Sequence, residues 1–300
     1  MAFGGTSLIV ATFDSGYAFS FEKSPNAVKI NKNRTAGSGK LICLKTPTSV
    51  LLNKTSEFDS FGFDAEDKYS LLAEEDQHHG WRLFRRFKMV LHNEQVISQS
   101  TTVEDLEGKT YPAMPIFTMS IRYLQRHLLE ALSLSKVGIC ETDIKYIITV
   151  PGIWGKAAKQ FMREPAIEAS IDGDRLKLAL EPEVAAVCCE ALEHTLTGQK
   201  FMVVDIGGGT ADISIHEKQG DGSLKNKHAP SGGPWGGIYV DENFATFLSE
   251  VFGTKALSTM QTNDMYDMIR DIEVKKRKFE SDSEADIIFR IPYALKESAD

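Results

Sequence analysis

The densest run of chemistry-bearing residues is Val203-Val204-Asp205-Ile206-Gly207-Gly208-Gly209-Thr210-Ala211-Asp212, in which an apolar stretch ends in an acid, three glycines, a hydroxyl and a second acid. Glycines let backbone N–H groups close on phosphate oxygens with no Cβ in the way. Asp205 and Asp212 are hard oxygen ligands, suited to the hydration shell of a magnesium ion that bridges phosphates. The competing reading is a glycine-rich hairpin turn with two solvated carboxylates, and three successive glycines between β-runs are more than a turn needs. A second glycine-rich run, Ser231-Gly232-Gly233-Pro234-Trp235-Gly236-Gly237, reads either as another phosphate-facing loop or as a plain surface loop.

Single residues add to this. In Leu180-Glu181-Pro182-Glu183, Pro182 fits a first helical turn, where its missing N–H costs nothing, and Glu181 taken alone is a capping acid. Glu273, Lys276 and Arg277 fall at i, i+3 and i+4, so they share one helix face, which serves a ligand or solvent equally. Lys88 taken alone is a solvated lysine on a basic helix beginning at Arg82. His78-His79 has no partner ligand at sensible spacing and receives no role.

The elements that must hold these residues alternate between strand and helix. Leu8 to Phe13 and Tyr17 to Phe21 read as a hairpin around Asp14-Ser15-Gly16, Asn31 to Lys40 as a polar loop, and Ser49 to Leu52 as a short strand. Ile116, Leu124, Leu128 and Leu132 recur at helical spacing. Tyr146 to Val150 then forms a buried-type strand that ends at Pro151-Gly152. Ala157 to Ala169 (helix), Leu176 to Leu180 (strand) and Glu183 to Leu196 (helix) continue the alternation. Phe201 to Val204 and Ala211 to His216 pair as a second hairpin, followed by the turn Gly220 to Ser223. Helices at Val240 to Phe252 and Asp264 to Phe279 precede a last strand at Ile287 to Ile291. The class is α/β. A weak internal repeat, an apolar strand running into an acid and a glycine at Leu8 to Gly16 and again at Phe201 to Gly207, suits two lobes built on one plan.

The bulk numbers agree with an ordinary folded protein: 300 residues, 42% hydrophobic and 25% charged, enough for one large domain or two lobes. A net charge of -8, with basic residues scattered apart from Lys275-Lys276-Arg277-Lys278, argues against nucleic acid as a partner. Cys43, Cys140, Cys188 and Cys189 lack zinc-ligand spacing and read as free thiols in a reducing compartment. The apolar run Leu8 to Ala11 has no basic residue before it and no cleavage site after it, and no stretch approaches the ~20 residues that span a bilayer. The expected location is the cytoplasm, with no membrane partner.

The Asp205 to Asp212 run resembles the second phosphate loop of the actin, sugar-kinase and 70-kDa heat-shock ATPases. Ile147-Ile148-Thr149-Val150-Pro151 and Leu180-Glu181-Pro182-Glu183-Val184-Ala185-Ala186 are similar to segments of the heat-shock branch. Ser15 to Phe21, Lys45-Thr46-Pro47-Thr48, Phe87-Lys88-Met89, Lys159 to Glu164 and Gly232 to Gly236 narrow the likeness to its divergent heat shock 70 kDa protein 12 type. The resemblance runs from about residue 8 to about residue 292.

It implies a two-lobed, ribonuclease-H-like ATPase fold, with lobes at residues 1–195 and 196–300 and the second incomplete. ATP or ADP with magnesium would lie between them. Asp205, Asp212 and Glu181 would order the metal and its water, and Lys88 would approach the γ-phosphate. Gly207, Gly208, Gly209, Thr210, Gly232 and Gly233 would cradle phosphates, and Glu273, Lys276 and Arg277 would hold adenosine. Co-chaperone or signalling proteins would be further partners.

Two departures stand out. The family's first hairpin carries Asp-x-Gly-Thr-Thr, whereas this chain runs from Ala11-Thr12-Phe13 to Asp14-Ser15-Gly16-Tyr17, and Tyr239 falls where this branch has a glycine. The chain also stops at Asp300, ahead of the family's peptide-binding β-sandwich. The expectation is nucleotide binding with weak or absent hydrolysis. The alternative is a non-hydrolysing nucleotide sensor or an interaction scaffold, and a sugar kinase lacks any local match for a sugar site.

Overall fold

The computed structural model describes residues 7–12, 16–21, 24–31, 34–36, 41–93, 96–134, 139–193, 200–259, 262–276, 286–293 and 295. The first lobe opens with β1 (Ser7–Thr12), β2 (Gly16–Phe21) and β3 (Ser24–Ile30). The turn residues 13–15, including Asp14, lie outside the described residues. β4 (Ser49–Leu52) and β5 (Phe58–Phe61) lead into α1 (Phe63–Glu74), and β6 (Arg82–Arg85) returns beside β4. Next come α2 (Ala113–Leu134), β7 (Ile144–Val150), α3 (Lys156–Glu168), β8 (Leu176–Leu180) and α4 (Glu181–Glu193).

The first sheet has the order β8-β7-β1-β2-β3. β1 pairs antiparallel with β2 and parallel with β7, and β7 pairs parallel with β8. A meander of three antiparallel strands followed by two parallel ones reached through helices is the ribonuclease-H-like plan. Parallel neighbours cannot be joined by a tight turn, so α2 and α3 serve as the crossovers. The apolar side of α2 buries Ile116, Phe117, Ile121, Leu124 and Leu128. Phe117 meets Phe87 and Phe161 edge-on, at centroid distances of 5.2 and 5.3 Å. This cluster joins Tyr146, Ile148 and Val150 of β7 in one core.

The second lobe repeats the opening. β9 (Lys200–Ile206), β10 (Ala211–Lys218) and β11 (Leu224–Asn226) form a meander, and β12 (Ser231–Gly233) pairs with the near end of β10. α5 (Gly237–Phe252) and α6 (Thr262–Lys276) follow. Their small core holds Leu248, Met268 and Ile272 with Leu295. Among the described residues β9 pairs only with β10, and Met202 (62%), Val204 (46%) and Ile206 (68%) stand exposed on one face.

Three expectations need correction. Ile287 to Ile291 is not a strand: Arg290 N donates to the Asp271 carboxylate at 3.2 Å and Phe289 packs on Phe244 at 4.7 Å, so a helix rather than a ladder takes the segment. β propensity yields where no neighbouring strand offers hydrogen bonds. Arg82 to Arg85 is a strand, not the start of a basic helix. Leu83 and Phe84 are buried in separate clusters on its two faces, while Asp105 and Glu66 accept from Arg82 and Arg85 at 2.6 and 2.8 Å. Within Asn31 to Lys40, Arg34–Ala36 pairs antiparallel with Leu41–Cys43.

One group in β10 makes stability depend on pH. His216 is 1% exposed, stacks on Phe201 and shares a 2.7 Å hydrogen bond with Ser214 Oγ. Burial pushes its pKa below the ordinary 6.5, against the weaker pull of the Glu183 carboxylate. The unfolded chain therefore binds the proton more tightly. Stability is full above the unfolded pKa and falls as pH drops from there towards the depressed folded value. Urea midpoints measured between pH 8 and roughly pH 5 should show this decline, and His216→Gln should flatten it.

Candidate functional site

The site forms where β9 and β10 meet. Gly207 N donates to Thr210 O at 2.9 Å, closing a tight turn directly after Ile206 and before Ala211. The register sets Asp205 opposite Asp212. Residues so paired share a face with Cβ atoms ~4.5–5.5 Å apart, and two like charges there repel unless something neutralises them. Asp212 is 1% exposed; its Oδ1 accepts from Ile153 N at 3.0 Å and its Oδ2 from Thr210 Oγ1 at 3.1 Å. Ile153 belongs to the turn after β7, so this carboxylate ties the second lobe's hairpin to the first lobe.

The glycine turn is gripped from behind. Gly236, Gly237 and Ile238 N–H groups donate to the carbonyls of Gly209, Gly207 and Gly208, at 3.3, 3.1 and 2.8 Å. These donors are the open N-terminal amides of α5, which have no partner inside their own helix. With its carbonyls directed at α5, the turn's flexible backbone is held in one shape. A Cβ on Gly236 would sit 2.5 Å from the Gly208 oxygen, so only glycine permits the approach. Gly232 and Gly233 are placed differently: they pair with Asp212 and Ala211 in the ladder, and a Cβ on Gly232 would meet the Ala211 oxygen at 2.0 Å.

In the first lobe, Lys88 lies in a short 3-10 turn, Phe87–Met89, that follows Arg86 in the left-handed region at φ 53°. Its ammonium is 3.0 Å from Glu181 Oε1 and 5.5 Å from the centre of the Trp154 ring. Glu181 begins α4, with Pro182 in the first turn. The Trp154 Nε1 donor is buried without a hydrogen-bond partner among the described residues. Met89 packs on the glycine turn, its sulfur 2.3 Å from where a Cβ on Gly209 would lie.

At the other end, Lys276 Nζ contacts Asp241 at 2.7 Å and Glu273 at 2.5 Å, and donates to Gly237 O at 3.4 Å. Glu273 and Lys276 are thus brought beside the start of α5, while Arg277 lies outside the described residues. Ion pairs join the lobes further out: Asp67 of α1 with Arg270 of α6, and Arg86 with Asp241 at 3.6 Å.

Residue types in the sequence assign no individual role to Gly236, Ile153, Trp154 or Met89. Gly236 was visible as part of a glycine run, and Trp154 as an aromatic just past Pro151-Gly152. The backbone role of Ile153 and the packing of Met89 leave no mark in residue type.

The architecture is that of a two-lobed, actin-like ATPase fold. The Hsp70 protein family matches residues 85–298, and the chain belongs to that family. It is 31% identical to human heat shock 70 kDa protein 12B over 85% of its length, covering 46% of that protein. It is 28% identical to mouse heat shock 70 kDa protein 12A over 97% of its length, covering 53% of that protein. The chain therefore spans about half the length of these curated relatives.

The two glycines of the interlock should respond differently to substitution. Gly236→Ala forces the turn and α5 apart and should lower stability by ~1–3 kcal/mol, the usual cost of overpacking. A Cβ on Gly208 meets nothing within 4 Å, so Gly208→Ala should stay within about 0.5 kcal/mol of the parent. Urea denaturation of both variants measures the contrast.

Proposed function

We propose that this chain is the ATP- and ADP-binding nucleotide domain of an atypical 70-kDa heat-shock protein, with weak or absent ATP hydrolysis. The observation that carries the reading is the braced glycine turn, Gly207 to Thr210, reached by Met89 from the short turn that also holds Lys88, itself paired with Glu181. In this reading the lobes are residues 1–195 and 196–300, with α4 crossing between them.

The donor set fits a phosphate chain and its magnesium. Gly208 is exposed, with open space at its Cβ position, where a phosphate oxygen can approach the backbone. The buried Trp154 Nε1 has no acceptor among the described residues and lies near the Lys88 ammonium. The facing carboxylates Asp205 and Asp212 would hold the hydration shell of magnesium, which would neutralise phosphate charge. Glu181 would orient water for in-line attack on the γ-phosphorus, breaking its bond to the ADP oxygen. Lys88 would swing from Glu181 towards the charge that develops on the transferring group. Glu273, Lys276 and Arg277 would hold adenosine.

Weak turnover follows from the first hairpin, whose Asp14-Ser15-Gly16 lacks the family's glycine-threonine core. Losing one well-placed donor typically lowers turnover by ~100- to 1000-fold. The rival reading, a sensor or scaffold that never hydrolyses nucleotide, draws on Met89 packed against Gly209. A cytoplasmic, chaperone-like role in stress response, with co-chaperone or signalling partners, belongs to the same proposal.

Calorimetric titration with ATP and with ADP, each with and without magnesium, tests binding directly. Gly208→Val should fold normally and lose the thermal shift given by ATP; retention of that shift would remove the phosphate-loop assignment. Single-turnover hydrolysis with excess protein should be slow for this chain and faster once Asp-Phe-Gly-Thr-Thr is inserted ahead of Ser15. Fast hydrolysis by the unmodified chain would refute the damaged-loop argument, and no binding by either version would favour the scaffold.

A further inference from the structure

The loop from α1 to β6 is a part of the first lobe that the nucleotide reading does not use. α1 ends with two nested bonds, Gln77 N to Leu72 O at 2.7 Å and Asp76 N to Ala73 O at 3.2 Å. This helix stop places its first residue past the cap in the left-handed region, a position glycine normally fills. Here it is Asp76, at φ 55°. The chain then turns through Gly80 at φ 84°, with Trp81 N donating to His78 O at 2.9 Å.

The outcome is a convergence that linear spacing conceals. Asp76, His78 and His79 each present one ligand atom, all within 4.8 Å of one another. His79 Nε2 is 3.1 Å from Asp76 Oδ1, and the two imidazoles lie 4.4 Å apart between centroids with 36° between their planes. His78 meets the buried Tyr69 ring edge-on at 5.8 Å, which limits its rotation. Its Nδ1 is buried without a hydrogen-bond partner among the described residues.

We propose that Asp76, His78 and His79 bind a divalent transition cation of the zinc class. Two imidazoles and one carboxylate suit zinc, copper(II) or nickel, whereas magnesium and calcium favour all-oxygen sets. Ligand atoms around a tetrahedral ion at ~2.0–2.1 Å lie about 3.3 Å from one another. The three atoms therefore need to close by only about 1.5 Å, within the reach of side-chain rotation. Water would complete the coordination, since three protein ligands leave a position open. An Asp76–His79 hydrogen bond alone explains less: its side chains are 86% and 69% exposed, so it contributes little, and it gives His78 no part. Bound metal would fasten the end of α1 to the start of β6, and α1 carries the Asp67 that meets Arg270 of the second lobe.

The test is Zn2+ titration of the full chain with Mg2+ and ADP present, so that the nucleotide cleft is already supplied. One equivalent of Zn2+ should bind and raise the unfolding temperature. His78→Asn and His79→Asn should each weaken binding tenfold or more, and Cys140→Ser, which removes an exposed free thiol, should leave it unchanged. Asp76→Gly should raise the unfolding temperature of the metal-free protein by relieving the left-handed aspartate, and abolish the rise given by Zn2+. Copper(II) in place of zinc should give an electron paramagnetic resonance spectrum with two coupled nitrogens. Undiminished Zn2+ binding by the His78→Asn, His79→Asn double variant, a copper spectrum with one nitrogen, or no Zn2+ binding by the parent chain would overturn the proposal.

Discussion

The constraint on which the site rests is the absence of a Cβ at Gly236. It lets the first amides of α5 reach the carbonyls of Gly207, Gly208 and Gly209, so a turn of three flexible residues is held by the end of a rigid helix. Three glycines in water would sample many shapes, and fixing them costs conformational entropy. The helix supplies partners for that fixation, and the turn in turn caps the helix. Each half satisfies polar groups that the other leaves open.

From that brace the other contacts can be ordered by what they fasten. Asp212 carries the grip to the first lobe through Ile153 N, and Thr210 completes its hydrogen bonding. Lys88 and Glu181 form a first-lobe pair, held by the 3-10 turn after β6 and by the start of α4. Lys276 binds the far end of α6 to the start of α5 through Asp241. The glycine turn, Arg86 of the first lobe and α6 therefore converge on the start of α5.

Much of this was legible because the responsible patterns are local. Leu176, Leu178 and Leu180 alternate at the period of a strand, Val50 to Leu52 is a short apolar run, and α2 carries apolar residues at helical spacing. The Asp205 to Asp212 run announces itself through residue types alone. What escaped was set by tertiary context. Arg82–Arg85 looks basic and helical until Asp105 and Glu66 arrive from elsewhere to neutralise it. Ile287 to Ile291 has strand composition but finds Asp271 and Phe244 instead of a neighbouring strand. The convergence of Asp76 with His78 and His79 depends on a left-handed backbone at Asp76, which residue spacing cannot reveal.

Among the described residues β9 has a strand neighbour on one side only, which has a practical consequence. A strand that has a neighbour on one side only is a template for a further strand, and Met202, Val204 and Ile206 make the adjoining surface apolar. Lys200 and Asp205 are the charged residues along it, and both lie on the opposite side-chain alternation or at its end. Preparations of this chain would accordingly lose solubility as concentration rises, through edge-to-edge pairing of β9. Handling in dilute solution, or a lysine placed at Val204, would keep the protein monodisperse without touching the cleft.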